Sequence, residues 1–124
     1  MIKFLYLIIG GTIGTVSRYG LSGVVHRALG ANFPYGTLTV NCAGCFLIGL
    51  LASLADKKFL LGVNARVFLM IGFCGAFTTF STFMLETSNL IDSGETTRAF
   101  MNLFLSVVVG FFIFRLGLLI GEVL

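Results

Sequence analysis

Apolar residues along this chain fall into four long runs separated by short polar or turn-prone stretches. The first extends from about Phe4 to Val25 and gives way to His26, Arg27, Asn32, Pro34 and Gly36, a connection rich in turn formers. The second, from about Thr37 to Ala55, stops at Asp56, Lys57 and Lys58. The third begins after Arg66 and reaches about Leu90; the fourth begins after Arg98 and runs nearly to the end, with Arg115 and Glu122 close enough to its end to snorkel to an interface. A helix rises about 1.5 Å per residue, so a run of ~20 residues crosses a hydrocarbon core of ~30 Å. The pattern therefore predicts an all-α membrane protein of four transmembrane helices, residues 4–25, 37–55, 67–90 and 99–122, forming a single domain over 1–124.

Composition supports lipid as the solvent. Of 124 residues, 57% are hydrophobic and only 10% charged, with a mean hydropathy of +1.05; soluble domains carry about 25% charge. Lys3 before an apolar stretch resembles the start of a signal peptide, but no A-x-A site follows, so the first run reads as a retained helix. The net charge of +3 lies mostly where the apolar runs are interrupted, which is loop charge and not a nucleic-acid patch. Cys42, Cys45 and Cys74 all fall inside apolar runs, where a thiol behaves as a small hydrophobe.

Charge also bears on orientation. If the N-terminus, the loop after the second helix and the C-terminus share a side, that side holds Lys3, Lys57, Lys58, Arg66 and Arg115, against Arg27 and Arg98 on the other. Such a bias is weak for a rule that sets topology by Lys and Arg excess, the more so because Arg115 lies inside its helix. A chain so balanced inserts both ways round, which permits an antiparallel dimer.

Polar and small residues inside the runs carry the chemistry. Gly10 and Gly14, and Gly117 and Gly121, are four apart, the spacing that lets helix backbones approach closely in lipid. Arg18 in the first helix is either an interface anchor or a cation facing an aqueous vestibule, where it would attract anions. Asn41 in the second is interhelical glue or a ligand group. Asn102, Ser106 and Gly110 place a polar strip with a small-residue gap on one face of the fourth. The third run is densest: Gly72-Phe73-Cys74-Gly75-Ala76-Phe77-Thr78-Thr79-Phe80-Ser81-Thr82-Phe83 crowds small residues, hydroxyls and phenylalanines at mid-membrane, a poor recipe for an uninterrupted helix. A break is expected there, and unwound backbone at that depth persists only if buried in protein or lining a cavity.

These motifs, Thr78-Thr79-Phe80-Ser81-Thr82-Phe83, Gly36-Thr37-Leu38-Thr39-Val40-Asn41, Gly14-x-x-x-Arg18-Tyr19 and the Asn102, Ser106, Gly110 strip, resemble the Fluc (CrcB) family of fluoride channels across all four predicted helices. The resemblance implies a fluoride-specific channel that exports fluoride passively and so reduces its toxicity. It further implies a multi-pass protein of the inner (plasma) membrane, assembled as an antiparallel, dual-topology homodimer with two pores. It implies Phe80, Phe83, Asn41, Ser81, Thr82, Asn102 and Ser106 along the fluoride path and Arg18 in the vestibule. A central structural Na+, not transported, would take backbone carbonyls of Gly75 and Thr78. Ala76 departs from the family pattern, which often has a second glycine there; carbonyl ligation does not depend on it.

The same residues weigh against other classes. A small proton-coupled multidrug transporter needs an intramembrane acid in its first helix; this one has Arg18 and no acid, and Glu86, late in the third run, reads as a helix-end or vestibule group. A lipid-modifying enzyme needs clustered acids or a nucleophile with a base, and the only histidine, His26, lies far in sequence from any acidic cluster. Phe77, Phe80 and Phe83, spaced by three, are expected to share one helix face.

Overall fold

The computed structural model describes all 124 residues and contains helices and connecting turns, with no strands. Helix α1 (Ile2–Leu29) runs past the predicted end at Val25. Beyond the hydrocarbon a helix no longer needs apolar residues, and this one stops where Gly30 takes φ 86, its N–H bonded to the carbonyl of His26. Helix α2 (Tyr35–Asp56) follows Pro34.

The third run is divided. Helix α3 (Val63–Arg66) passes into a π-helical stretch, Val67–Cys74, and then α4 (Gly75–Phe77). Thr78 is extended at φ −86, ψ 159, and the chain becomes helical again in α5 (Ser81–Asp92). The expected break is therefore present, at Thr78–Phe80. Gly94, at φ 77, leads into α6 (Thr96–Val123).

Three of these segments are long and apolar enough to cross a membrane: Tyr35–Asp56, the broken Val63–Asp92, and Thr96–Val123. Helix α1 has 28 residues, the length of α6, but Gly10, Gly11, Thr12, Gly14, Thr15, Ser17 and Arg18 dilute its apolar content.

Glycines set the packing. A Cβ at Gly10 or Gly14 would collide with the backbone of Phe68 or Phe73, so α1 lies directly against the π-helical stretch. On the other side, Gly49 meets the Phe114 carbonyl, Gly117 that of Phe46, and Gly121 the side chain of Ser53. In both pairs the contacts advance together along the two segments, so the partners run parallel. Gly44 seats against Thr78 and so joins α2 to the break. At one end Lys57 pairs with Glu122, bringing the α2–α3 loop to the C-terminus. There Arg66 bonds Asp56 at 2.7 Å and the Ala55 carbonyl at 2.5 Å, capping α2. Two of the three segments grouped in the charge count, the loop and the C-terminus, thus lie together.

Candidate functional site: a clamped helix break between two cavities

A helix broken at membrane depth leaves backbone polar groups without intrahelical partners, and in lipid each is costly. Asn41, on α2, meets that need at Thr79. Its amide nitrogen donates to the Thr79 carbonyl at 2.9 Å, and its amide oxygen accepts from the Thr79 N–H at 2.8 Å. Thr79 in turn caps α5: its hydroxyl oxygen accepts from the Thr82 N–H at 3.3 Å and lies 3.0 Å from the Thr82 hydroxyl. Thr78 turns its own hydroxyl back to the Cys74 carbonyl at 2.9 Å. The carbonyls of Gly75 and Thr78 accept no hydrogen bond within the chain.

Two cavities flank this clamp. One, of about 440 Å³, lies among α1, α2 and α5; Arg18, Thr37, Thr79, Thr82 and Glu86 are on its walls. Thr37 donates to one Glu86 carboxylate oxygen at 2.8 Å, while the other is buried without a partner. Arg18 forms no ion pair; it and the Glu86 carboxylate stand on the same cavity without contact. The second cavity, about 350 Å³, is bordered by Asn41, Gly75, Thr78, Thr79 and Phe80.

Phe80 and Phe83 sit at the start of α5 with ring centroids 5.7 Å apart and planes tilted by 58°. Phe80 is 73% exposed and Phe83 5%. Phe77 does not extend their face as the spacing suggests: it lies before the break and stacks on Phe73 at 5.5 Å, because the extended Thr78 interrupts the helical period. The strip on α6 is inward. Asn102, 1% exposed, donates to the Thr87 hydroxyl at 2.9 Å, and Thr87 donates to the Phe83 carbonyl at 2.8 Å. Ser106 has its hydroxyl oxygen buried without a partner, and Gly110 is buried below it.

The structure thus gathers the sequence candidates into three groups: Arg18 and Thr82 at the larger cavity, Asn41, Gly75, Thr78 and Phe80 at the smaller, and Phe83 with Asn102 and Ser106 behind α5. Ser81 joins none of them and is exposed at the outer start of α5. Glu86 takes the vestibule position, with Thr37 as a partner the sequence alone did not reveal. Thr79, one of three hydroxyls together with Ser81 and Thr82 whose facing the sequence leaves open, was not among the assigned positions; its signal was its place before a Ser-x-Phe helix start, where a threonine caps.

A family model described as CrcB-like protein, Camphor Resistance (CrcB), matches residues 5–118. The protein named fluoride-specific ion channel FluC of Desulforapulum autotrophicum is 39% identical over 122 residues, 98% of each chain. The one of Methylocella silvestris is 47% identical over 107 residues, 85% of this chain and 82% of its own. That of Maridesulfovibrio salexigens is 40% identical over 124 residues, 100% of this chain and 98% of its own. With a family match over nearly its whole length and relatives of this closeness, the chain belongs to the CrcB family.

Proposed function

We propose that this protein is a fluoride-specific ion channel through which fluoride leaves the cytoplasm passively, lowering its toxicity, and that it does so as a multi-pass protein of the plasma membrane. The observation that carries this reading is the break at Thr78–Phe80, clamped by Asn41 and set between a vestibule walled by Arg18 and a pair of phenylalanine rings. The relatives that share nearly the whole chain bear the name fluoride-specific ion channel. The Arg18 guanidinium, not held in an ion pair, attracts anions to its part of the vestibule, and the Thr37 hydroxyl donates to the Glu86 carboxylate on the same cavity. An aromatic ring has an electropositive edge, so the edges of Phe80 and Phe83 compensate weakly for lost hydration, and weak sites release an ion as readily as they take it. With the inside negative, an anion gains about 2.3 kcal/mol per 100 mV on leaving, so no energy source beyond the membrane potential is needed.

In this reading α1 is the fourth span. At ~1.5 Å per residue its 28 residues exceed the hydrocarbon thickness, and Arg18 faces the cavity, which relieves the cost of a charge at depth. The functional unit is an antiparallel homodimer. A single chain leaves Gly75 and Phe80 exposed beside the break, a surface that a second copy would cover. The free carbonyls of Gly75 and Thr78 are hard oxygen donors suited to Na+, and the same pair from the partner would complete the set. Bound there, the ion would link the two copies as a fixed charge.

The decisive experiment is fluoride efflux from liposomes holding only the purified protein, with chloride as competitor. Fluoride leaves and chloride does not if the reading holds; liposomes that retain fluoride, or lose both anions equally, refute it. A proton-coupled drug exchanger is disfavoured because α1 supplies no acid and Glu86 is tied to Thr37. The sodium assignment has its own test. Replacing Na+ by a larger cation on both sides weakens the channel, whereas reversing a Na+ gradient leaves the direction of fluoride flux unchanged. Flux that follows the Na+ gradient would mean coupled transport instead of a structural ion.

A further inference from the structure

The two cavities beside the break share one residue. Thr79 lines both the 440 Å³ vestibule and the 350 Å³ cavity that reaches Phe80, and no other residue does. Its backbone is held through both its N–H and its carbonyl by the two Asn41 hydrogen bonds, so the side chain is left as the only movable part of the partition. That side chain is a hydroxyl engaged with the Thr82 hydroxyl at 3.0 Å. Thr82 lies on the vestibule alone and Phe80 on the second cavity alone.

From this geometry we infer that Thr79 is the hand-over residue for the anion. Its hydroxyl rotates from Thr82 to donate a hydrogen bond to fluoride crossing from the vestibule to the cavity beside Phe80, and Asn41 is the positioning residue that holds it there. The chemistry is an exchange of hydrogen bonds with no covalent step. In the resting state the Thr79 proton rests on the Thr82 oxygen; when a small, strongly accepting anion arrives, the proton turns to it. A hydroxyl on a clamped backbone keeps one donor at a fixed distance from both cavities, replacing one water of the hydration shell. Asn41 then acts mainly through Thr79: one amide hydrogen and its oxygen are already committed to the backbone.

The inference rests on the fluoride-channel reading, and the experiment separates the two. Unitary fluoride current in planar bilayers counts ions through one channel and is insensitive to how many channels folded. Thr79→Val keeps the shape and the backbone clamp but lacks the donor, and its unitary current is expected to fall roughly tenfold to a hundredfold, the weight of one hydrogen bond to a charged group. Thr79→Ser keeps the donor and stays within about twofold of wild type. An unchanged unitary current in Thr79→Val, with or without fewer channels, would overturn the proposal and leave the hydroxyl as a helix cap. Should the valine variant fail to assemble, Thr79→Ala against Thr79→Ser repeats the comparison, since they differ by that hydroxyl alone. A wild-type protein that passes no fluoride would refute the function itself, and the hand-over with it.

Discussion

The double variant Phe80→Ile, Phe83→Ile is expected to lose roughly a hundredfold in fluoride throughput while still folding. Isoleucine keeps apolar bulk and removes the electropositive ring edge, so the change separates packing from ion recognition. The two positions differ in what packing alone would cost. Phe80 is 73% exposed in the single chain, so its replacement disturbs little within the protomer. Phe83 is 5% exposed, and a hydrophobic swap there costs up to ~1.5 kcal/mol of stability. The single variant Phe80→Ile is therefore the cleaner test of the ring edge, and the double variant the larger effect. Phe80→Met should fall between, because a polarizable thioether partly replaces the ring. Efflux is measured from liposomes after detergent-solubilised protein is shown to be monodisperse. Wild-type flux from a folded double variant would return both residues to the hydrophobic core.

Much of the site was readable because its residues are expensive in lipid. Asn102, Ser106 and Gly110 repeat at one helical spacing, and all three proved inward on α6. The glycines at positions 10, 14 and 117 proved to be places where another backbone approaches too closely for a side chain, and at Gly121 the Ser53 side chain does so. The break was readable because small and hydroxyl-bearing residues at mid-membrane weaken a helix. Its consequence for Phe77 was not, since a three-residue spacing predicts a shared face only while the helix is continuous. Extended Thr78 moves Phe77 onto Phe73 instead. The π-helical stretch Val67–Cys74 contains neither proline nor an unusual polar residue, and nothing local announces it. Its winding accompanies the close approach of α1 at Gly10 and Gly14. Partners far apart in sequence, Asn41 with Thr79 and Thr37 with Glu86, depend on helix pairing and could not be read from either segment alone.

Two of the three buried polar side-chain atoms that remain unpaired belong to residues at or behind the proposed ion path. Ser106 keeps a free hydroxyl beside the Asn102–Thr87 bond, and Glu86 a free carboxylate oxygen on the vestibule wall. An unpaired buried polar atom costs of order 1–3 kcal/mol. On the proposed reading, the free groups of Glu86 and Ser106 would serve passage at that cost in stability. Ser53, unpaired between α2 and Gly121, lies away from that region, and its orphaned hydroxyl has no such account.

Orientation offers the all-or-none test of assembly. Five basic residues lie toward the end that carries the α2–α3 loop and two toward the other, a bias small enough to be overruled. Gly62 has φ −68 and open space around an added Cβ, and Asn64 is exposed, so Gly62→Lys with Asn64→Lys strengthens the existing bias without disturbing packing. Ala31, Asn32, Asn89, Asp92 and Ser93 are exposed at the opposite end, and Ala31→Lys, Asn32→Lys, Asn89→Lys, Asp92→Lys and Ser93→Lys, combined with Lys3→Gln and Lys58→Gln, turn the count to seven against three the other way. Lys57 is left in place because it pairs with Glu122, and Phe33 because it is buried. If the active unit needs one copy in each orientation, cells expressing either locked chain alone lose fluoride resistance entirely, and cells expressing both recover it. Each chain must be shown by cysteine accessibility to sit in a single orientation, since a residual minority of the other would mimic activity. Full resistance from one chain so locked would exclude the antiparallel pair. The break at Thr78–Phe80 would then have to be covered by a parallel partner or by lipid, and the carbonyls of Gly75 and Thr78 would need a different occupant.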